Sequence, residues 1–380
     1  MTTAVYPGSF RPFHLGHLDV IKVASKMFDK VVVLVANNSE KDTNTARFYP
    51  SRPAMMADID GGGCVNVSVD QLRPEELLTD YVRRNKVDYI VRGVRNAEDA
   101  TQEIKYFDSL KLLSPGSTWK PAILLAEYKT LSSSLVREVI NHAGWVRHIY
   151  NLVPRNTAKW ITENMWDFPI QMWDFACEEI FGETVDWTSC HKAFRDLEQA
   201  YENSGKEYHN WTHIKECLVE ALTISDLLKE GGRRAGAEDV MALFFHDIVE
   251  SEEESANLCY DFIVENGGKL YAAEGSRNMI LSTKDDSPQV CAVRDIDRLV
   301  LSRPWNSYLV YINAVKKEFY PKKCSLKDFL LGRRAWIEKT LASKIYRTLY
   351  FTSHESDARG NLEVELESLQ SELDDLTKVA

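Results

Sequence analysis

Two groups of residues in this 380-residue chain have the types and spacing to act on phosphates. The first is the run Tyr6-Pro7-Gly8-Ser9-Phe10-Arg11-Pro12-Phe13-His14-Leu15-Gly16-His17, which reads as a strand, a turn and the start of a helix carrying His-x-Gly-His. A helix N-terminus favours an anion through its free N–H groups and dipole. Gly16 lets a phosphate approach the backbone, and His14 and His17 can donate hydrogen bonds to it. Further phosphate-binding types follow in chain order. They are Lys41 after the second strand, Arg92-Gly93-Val94-Arg95 at the end of a later strand, Glu103 one helix on, and Leu131-Ser132-Ser133-Ser134-Leu135 opening another helix. Each has a plain alternative: a loop lysine, a solvated strand end, a surface charge, a serine N-cap. The ordered set is specific where no single part is.

The second group is Tyr208-His209-Asn210-Trp211-Thr212-His213, Phe244-Phe245-His246-Asp247 and Arg294-Asp295-Ile296-Asp297. The spacing puts His209 and His213 on one face of a helix. An adjacent His-Asp pair and a distant Asp add nitrogen and oxygen ligands that suit Mn, Fe, Mg or Zn with positions left open. Metal-assisted phosphoester hydrolysis needs such a set. The Asp-x-Asp pair leaves the register between Asp295 and Asp297 open. Glu253 orients water or belongs to a solvated acidic face. His142, His148, His191 and His354 have no such company and read as structural.

The elements that must position these residues differ along the chain. β-Branched runs at Ala4–Tyr6, Val31–Ala36, Val65–Val69, Tyr89–Val91 and Ile123–Leu125 alternate with helical patterns at His17–Phe28, Glu75–Arg84 and Ala100–Leu113. This is the signature of βαβ units on a parallel sheet. After Ser132 the pattern is helical almost to the end. Gly182, Gly231-Gly232, Gly267-Gly268, Pro288 and Pro304 punctuate it, and an acidic amphipathic helix from Leu362 closes it. The reading is a Rossmann-like α/β domain over 1–164, a short linker over 165–170 around Pro169, and an all-α domain over 171–380. A chain of this length has room for two cores.

Composition agrees with a folded chain: 44% hydrophobic and 27% charged residues. The formal net charge of −11 argues against a nucleic-acid binder, which needs a basic surface. Seven cysteines without a CxxC pair, and a start that reads straight into a strand, point to a cytoplasmic protein with reduced thiols. No apolar run reaches the length of a membrane span.

With Gly144-Trp145-Val146-Arg147-His148 and Val153-Pro154, the first set of motifs resembles bacterial phosphopantetheine adenylyltransferases over residues 4 to 162. The resemblance implies transfer of AMP from ATP, with Mg2+, to 4′-phosphopantetheine, giving dephospho-coenzyme A and pyrophosphate, by a homo-oligomer. On that pattern His17 stabilises the transition state, and Lys41 and Arg92 grip the acceptor phosphate and the reacting centre. Ser9, Phe10, His14, Gly93, Arg95, Glu103, Tyr128, Ser132, Ser133 and Ser134 hold ATP, and Ser9 and Leu78 add to the acceptor site. Two departures bear on the acceptor. Arg11 stands where the family usually has Asp, giving a run more like nicotinamide-mononucleotide adenylyltransferases. Asp70 to Leu78 replaces a shorter stretch that lines the pantetheine site.

The second set resembles the HD phosphohydrolase superfamily over roughly residues 171 to 370. Ser251-Glu252-Glu253-Glu254-Ser255-Ala256, Ile280 to Asp285 and Glu355 to Leu362 are similar to a bacterial branch of it. The resemblance implies that His213, His246, Asp247 and Asp297 hold a divalent metal. It also implies that His209, as in cyclic-nucleotide phosphodiesterases, is a general acid acting on a phosphorylated small molecule or nucleotide. Asp285-Asp286 stand where that branch has a His, which leaves a non-catalytic nucleotide-binding regulatory module as the alternative.

Overall fold

The computed structural model describes residues 1–36, 48, 51–227, 236–284, 287 and 289–379. Its backbone falls into two compact units, Met1–Trp166 and Asp167–Ala380. Lys41, Gly231-Gly232, Asp285-Asp286 and Pro288 lie outside the described residues.

The first unit alternates β1 (Thr3–Gly8), α1 (Leu15–Met27), β2 (Lys30–Val35), α2 (Arg52–Gly61), β3 (Val67–Gln71), α3 (Leu78–Arg84), β4 (Tyr89–Val94), α4 (Ala97–Leu113) and β5 (Lys120–Leu125). Then come α5 (Ser133–Ile140), α6 (Ile149–Leu152) and α7 (Arg155–Asn164). The strands form one parallel sheet in the order β3-β2-β1-β4-β5. Side chains alternate across it as the strand period requires. Ala4, Tyr6, Val31, Val33 and Val35 pack with Leu18, Val20, Ile21 and Ala24 of α1. On the other face Val5, Val32 and Leu34 meet Tyr81 and Val82 of α3 and Phe107 and Leu110 of α4. The chain goes from β1 to β2 and β3 on one side and returns to β4 on the other. The carboxyl end of β1 is therefore the switch point where open parallel sheets bind ligands.

Boundaries moved for local reasons. Val65 is 94% exposed and precedes β3. The helix expected from Glu75 begins at Leu78. By contrast α4 starts early, at Ala97, because the Asn96 side chain accepts from Asp99 N and caps it. Buried Asp58 of α2 accepts from the backbone N–H groups of Asn156 and Thr157 and from both of their side chains, at 2.7–3.0 Å. One carboxylate thus serves the orphan donors at the start of α7.

The second unit contains helices and turns and, among the described residues, no strand. It runs α8 (Phe168–Phe181), α9 (Trp187–Asn203), α10 (Trp211–Leu227), α11 (Ala237–Phe245), α12 (Glu252–Glu265), α13 (Leu270–Leu281), α14 (Ala292–Asp297), α15 (Trp305–Phe319), α16 (Leu326–Leu341) and α17 (Glu355–Val379). Residues 168–170, read from sequence as linker, already belong to α8, whose first turn tolerates Pro169 because its N–H has no intrahelical partner. Gly182, at φ 62°, ends that helix in a conformation that favours glycine. The terminal helix α17 starts earlier than Leu362 and is packed, with Leu362, Leu369 and Leu373 buried. No helix among the described residues is long and apolar enough to cross a membrane.

Candidate functional site

At the carboxyl end of β1 the loop to α1 is built around aromatic rings. Phe10, at φ 49°, is 1% exposed, and a Cβ on Gly8 would stand 2.8 Å from its ring. Phe10 meets His17 edge-on at 4.9 Å and Phe13 stacks on His17 at 5.8 Å, so the imidazole is held from two sides. The ring of His14, the N-cap of α1, stacks on that of His17 at 3.5 Å. The backbone N–H of His14 donates to His17 Nδ1 at 3.2 Å. With Nδ1 an acceptor, the proton of a neutral His17 sits on Nε2. Burial, then the charges of His14, Arg92 and Arg95, hold the His17 pKa well below its usual value. Burial and Arg95 push His14 down to about 3. Both rings are neutral at physiological pH.

The other expected residues gather around this loop with partners of their own. Arg92, at the end of β4, is gripped through Nε and Nη2 by Glu103 at 2.6 and 2.7 Å and donates through Nη1 to Pro7 O at 2.8 Å. Glu103, expected to hold ATP, is thus engaged in aiming Arg92. Arg95 pairs with Asp99 at 2.8 Å. A Cβ on Gly93 would stand 2.7 Å from Val20 of α1, so the close approach of β4 to α1 requires glycine. A Cβ on Gly16 would stand 3.7 Å from Tyr128 Cβ. Ser132 caps α5 and accepts from Leu135 N, while Ser133 Oγ donates to Pro12 O at 3.0 Å. Arg137 donates to Arg11 O and to Ser134 Oγ. The serine turn therefore braces the loop that carries His14 and His17. Ser9 is half-buried in the same loop. Arg11, read as a cation beside the site, is 3% exposed. Leu78, expected at the acceptor site, is buried in the core of the other sheet face, with Val5 and Leu34.

In the second unit His213 (α10), His246 and Asp247 (the turn after α11) and Asp297 (the end of α14) come together. Their donor atoms all lie within 4.8 Å of one another. His213 Nε2 is 3.2 Å from Asp297 Oδ1 and 3.3 Å from His246 Nε2, and His246 Nε2 is 3.2 Å from Asp247 Oδ2. His246 Nδ1–H donates to Leu243 O at 2.9 Å, which turns Nε2 toward the cluster. Buried Asp247 Oδ2 has no well-formed hydrogen bond among the described residues. Burial opposes a charged His246, but Asp247 and Asp297 outweigh it and raise its pKa well above the usual value. Burial likewise opposes a charged Asp297, and the two imidazoles hold its pKa well below the usual value. Two imidazoles facing two carboxylates, with one carboxylate oxygen left unbonded, fit a divalent cation.

Of the Asp-x-Asp pair, it is Asp297 that stands in the cluster. Asp295 accepts from Arg347 N, Thr348 N and Thr348 Oγ1 and lies away from the cluster. His209 does not share a helix with His213, because α10 begins at Trp211 and His209 sits in the turn before it. Its Nδ1 lies 3.0 Å from Glu318 Oε1 of α15, and Glu318 Oε2 accepts from the backbone N–H groups of Tyr208 and His209. Burial disfavours the His209 cation, yet the Glu318 bond with the charges of Asp247 and Asp297 raises its pKa. Glu318, 109 residues away in sequence, carries no motif that marks it. Glu253 is directed to Lys284 at 3.1 Å rather than to the cluster.

A Cytidylyltransferase-like family profile matches residues 5–139. The phosphopantetheine adenylyltransferase of Thermosynechococcus vestitus is 36% identical over 156 residues, covering 41% of this chain and 88% of that protein. That of Natranaerobius thermophilus is 34% identical over 165 residues, covering 43% of this chain and 96% of that protein.

Proposed function

The chain belongs to the phosphopantetheine adenylyltransferase family through about the first two fifths of its length, and from that premise we propose that the first unit transfers AMP from ATP to 4′-phosphopantetheine, releasing pyrophosphate. The observation that carries this reading is His17, held neutral at the sheet's switch point with its proton on Nε2. In-line attack of the acceptor phosphate on the α-phosphorus builds negative charge on oxygens, which a fixed N–H donor and a nearby guanidinium stabilise. Arg92 supplies the cation, and Glu103 and Pro7 O fix its direction. His14, Ser9, Gly93, Arg95 and the turn from Tyr128 to Ser134 hold ATP, whose magnesium enters with the nucleotide. Lys41 is assigned to the acceptor phosphate by the family pattern. Offering 4′-phosphopantetheine and nicotinamide mononucleotide in parallel with ATP and magnesium tests the acceptor. Dephospho-coenzyme A is the expected product, and a nicotinamide dinucleotide in its place overturns the assignment.

For the second unit the reading is an HD-type phosphohydrolase, with His213, His246, Asp247 and Asp297 as metal ligands. A divalent ion there, Mn, Fe, Mg or Zn, supplies Lewis acidity toward phosphate oxygens and water. His209, with its pKa raised and its Nδ1–H directed to Glu318, keeps a proton to give to the leaving oxygen. The chain is then a bifunctional enzyme.

A further inference from the structure

Asp247 and Asp297 of the ligand cluster line a chamber of about 600 Å³, whose walls also include Tyr311 of α15 and Arg333 of α16. A phosphate ester at the cluster presents more oxygens than one cation reaches, and the others need donors. Several charged groups of the chamber are already engaged. Glu318 holds His209, Asp328 accepts from Ser325 Oγ at 2.6 Å, and Lys323 pairs with Glu250 at 2.6 Å. Arg333 is neutralised by Glu365 of α17, to which its Nε and Nη2 donate at 2.9 and 3.0 Å, and both side chains are buried.

Tyr311 stands differently. Arg333 Nη1 donates to its phenol oxygen at 3.1 Å. A guanidinium cannot accept in return, so the phenol's own proton must point elsewhere, and among the described residues no group accepts it. The ring is held in place, because it meets the Tyr208 ring edge-on at 4.7 Å and the Arg333 guanidinium lies over it at 5.2 Å. Tyr208 in turn lies 4.8 Å from the ring of His213, so Tyr311 is one ring removed from a metal ligand. Burial raises the Tyr311 pKa more than Arg333 lowers it, and the phenol keeps its proton at neutral pH. The chamber therefore contains an oriented O–H donor with no protein group to receive its bond.

We propose that the phenol O–H of Tyr311 binds phosphate at the second site, donating to an oxygen that the metal does not hold. Arg333, fixed by Glu365, is a positioning residue that occupies the phenol oxygen and turns its proton toward the ligand. This rests on the hydrolase reading for the presence of a phosphate at the cluster, but the donor can be tested by binding alone.

The test uses the full-length protein loaded with Mn2+ and measures binding of inorganic phosphate by equilibrium dialysis. His246→Ala in the same buffer gives the share bound by the first unit. Tyr311→Phe keeps the ring and removes only the hydroxyl. It is expected to weaken phosphate binding at the second site at least tenfold while Mn2+ content stays at the wild-type level. Arg333→Lys keeps the charge beside Glu365 and loses the fork. It is expected to weaken phosphate binding when Tyr311 is present and to add no further loss in Tyr311→Phe, since the two act through one bond. Losses that simply add would overturn the positioning role of Arg333. Tyr311-dependent phosphate binding in a protein that does not hydrolyse p-nitrophenyl phosphate supports the donor and counts against the hydrolase reading. The proposal is overturned if Tyr311→Phe binds phosphate as tightly as the wild type or loses Mn2+ together with phosphate. A wild type that binds no more phosphate than His246→Ala overturns it as well.

Discussion

Glu318 Oε1 lies 3.0 Å from His209 Nδ1, while the other oxygen of the same carboxylate accepts the backbone N–H groups of residues 208 and 209. One buried acid therefore fixes both the turn that carries His209 and the tautomer of its ring. Burial alone would raise the Glu318 pKa, but the bonds from His209 hold it down at about 2. An acid such as His209 is active below its pKa, and Glu318 raises that pKa. Glu318→Gln is expected to move the alkaline fall of phosphohydrolase kcat to lower pH, and His209→Ala to cost about 10²–10⁴-fold in rate. A Glu318→Gln profile that falls at the wild-type pH contradicts the assignment.

Asp295 and Asp297 separate fold from chemistry. Asp297→Asn is expected to weaken metal binding with little change in the melting temperature of the metal-free protein. Asp295→Asn removes a buried charged acceptor from two backbone N–H groups and a hydroxyl, and is expected to destabilise the second unit by about 2–3 kcal/mol. Metal content and thermal melting of the two variants check this. Metal loss confined to Asp295→Asn would reverse the register.

Asp58 makes a claim about the first unit alone. Asp58→Ala strands the donors at the start of α7 and is expected to cost about 2–3 kcal/mol in urea unfolding. Unchanged stability would mean that water replaces the carboxylate.

His17 makes a claim about pH. Its pKa lies well below the usual value, because burial and the neighbouring charges all disfavour the cation. Adenylyl-transfer kcat is therefore expected to show no limb from His17 between about pH 6 and pH 8. A limb near the ordinary histidine value that vanishes in His17→Ala would show that the imidazole titrates.

Local signals in the sequence carried the strand alternation and the strand–turn–helix at His14 and His17, which rest on periodicity and on short spacing that the backbone converts directly into proximity. The residues of the second unit's cluster come from distant parts of the chain, with His213 and His246 33 residues apart, and were grouped through a resemblance of motifs. The pairing of Arg92 with Glu103 was missed although both residues were singled out, because which of two charged groups binds a ligand and which binds the other depends on side-chain reach. Glu318 and Asp58 were invisible, since their partners lie 109 and 98 residues away. The choice between Asp295 and Asp297 was open for the same reason: the backbone groups that hold Asp295 belong to residues 347 and 348. The sheet face that Leu78 covers was not legible, because a leucine in an unusual stretch carries no signal for it.

On the proposed reading, one chain carries two separate active sites. The most direct test measures adenylyl transfer, phosphohydrolysis and bound metal side by side in the full-length wild type, His17→Ala and His246→Ala. His17→Ala is expected to lose adenylyl transfer by about 10²–10³-fold and keep metal and hydrolysis, while His246→Ala loses metal and hydrolysis and keeps transfer. A wild type without hydrolysis, whose His246→Ala variant changes only the kinetics of adenylyl transfer, would contradict the claim and make the second unit a regulator of the first.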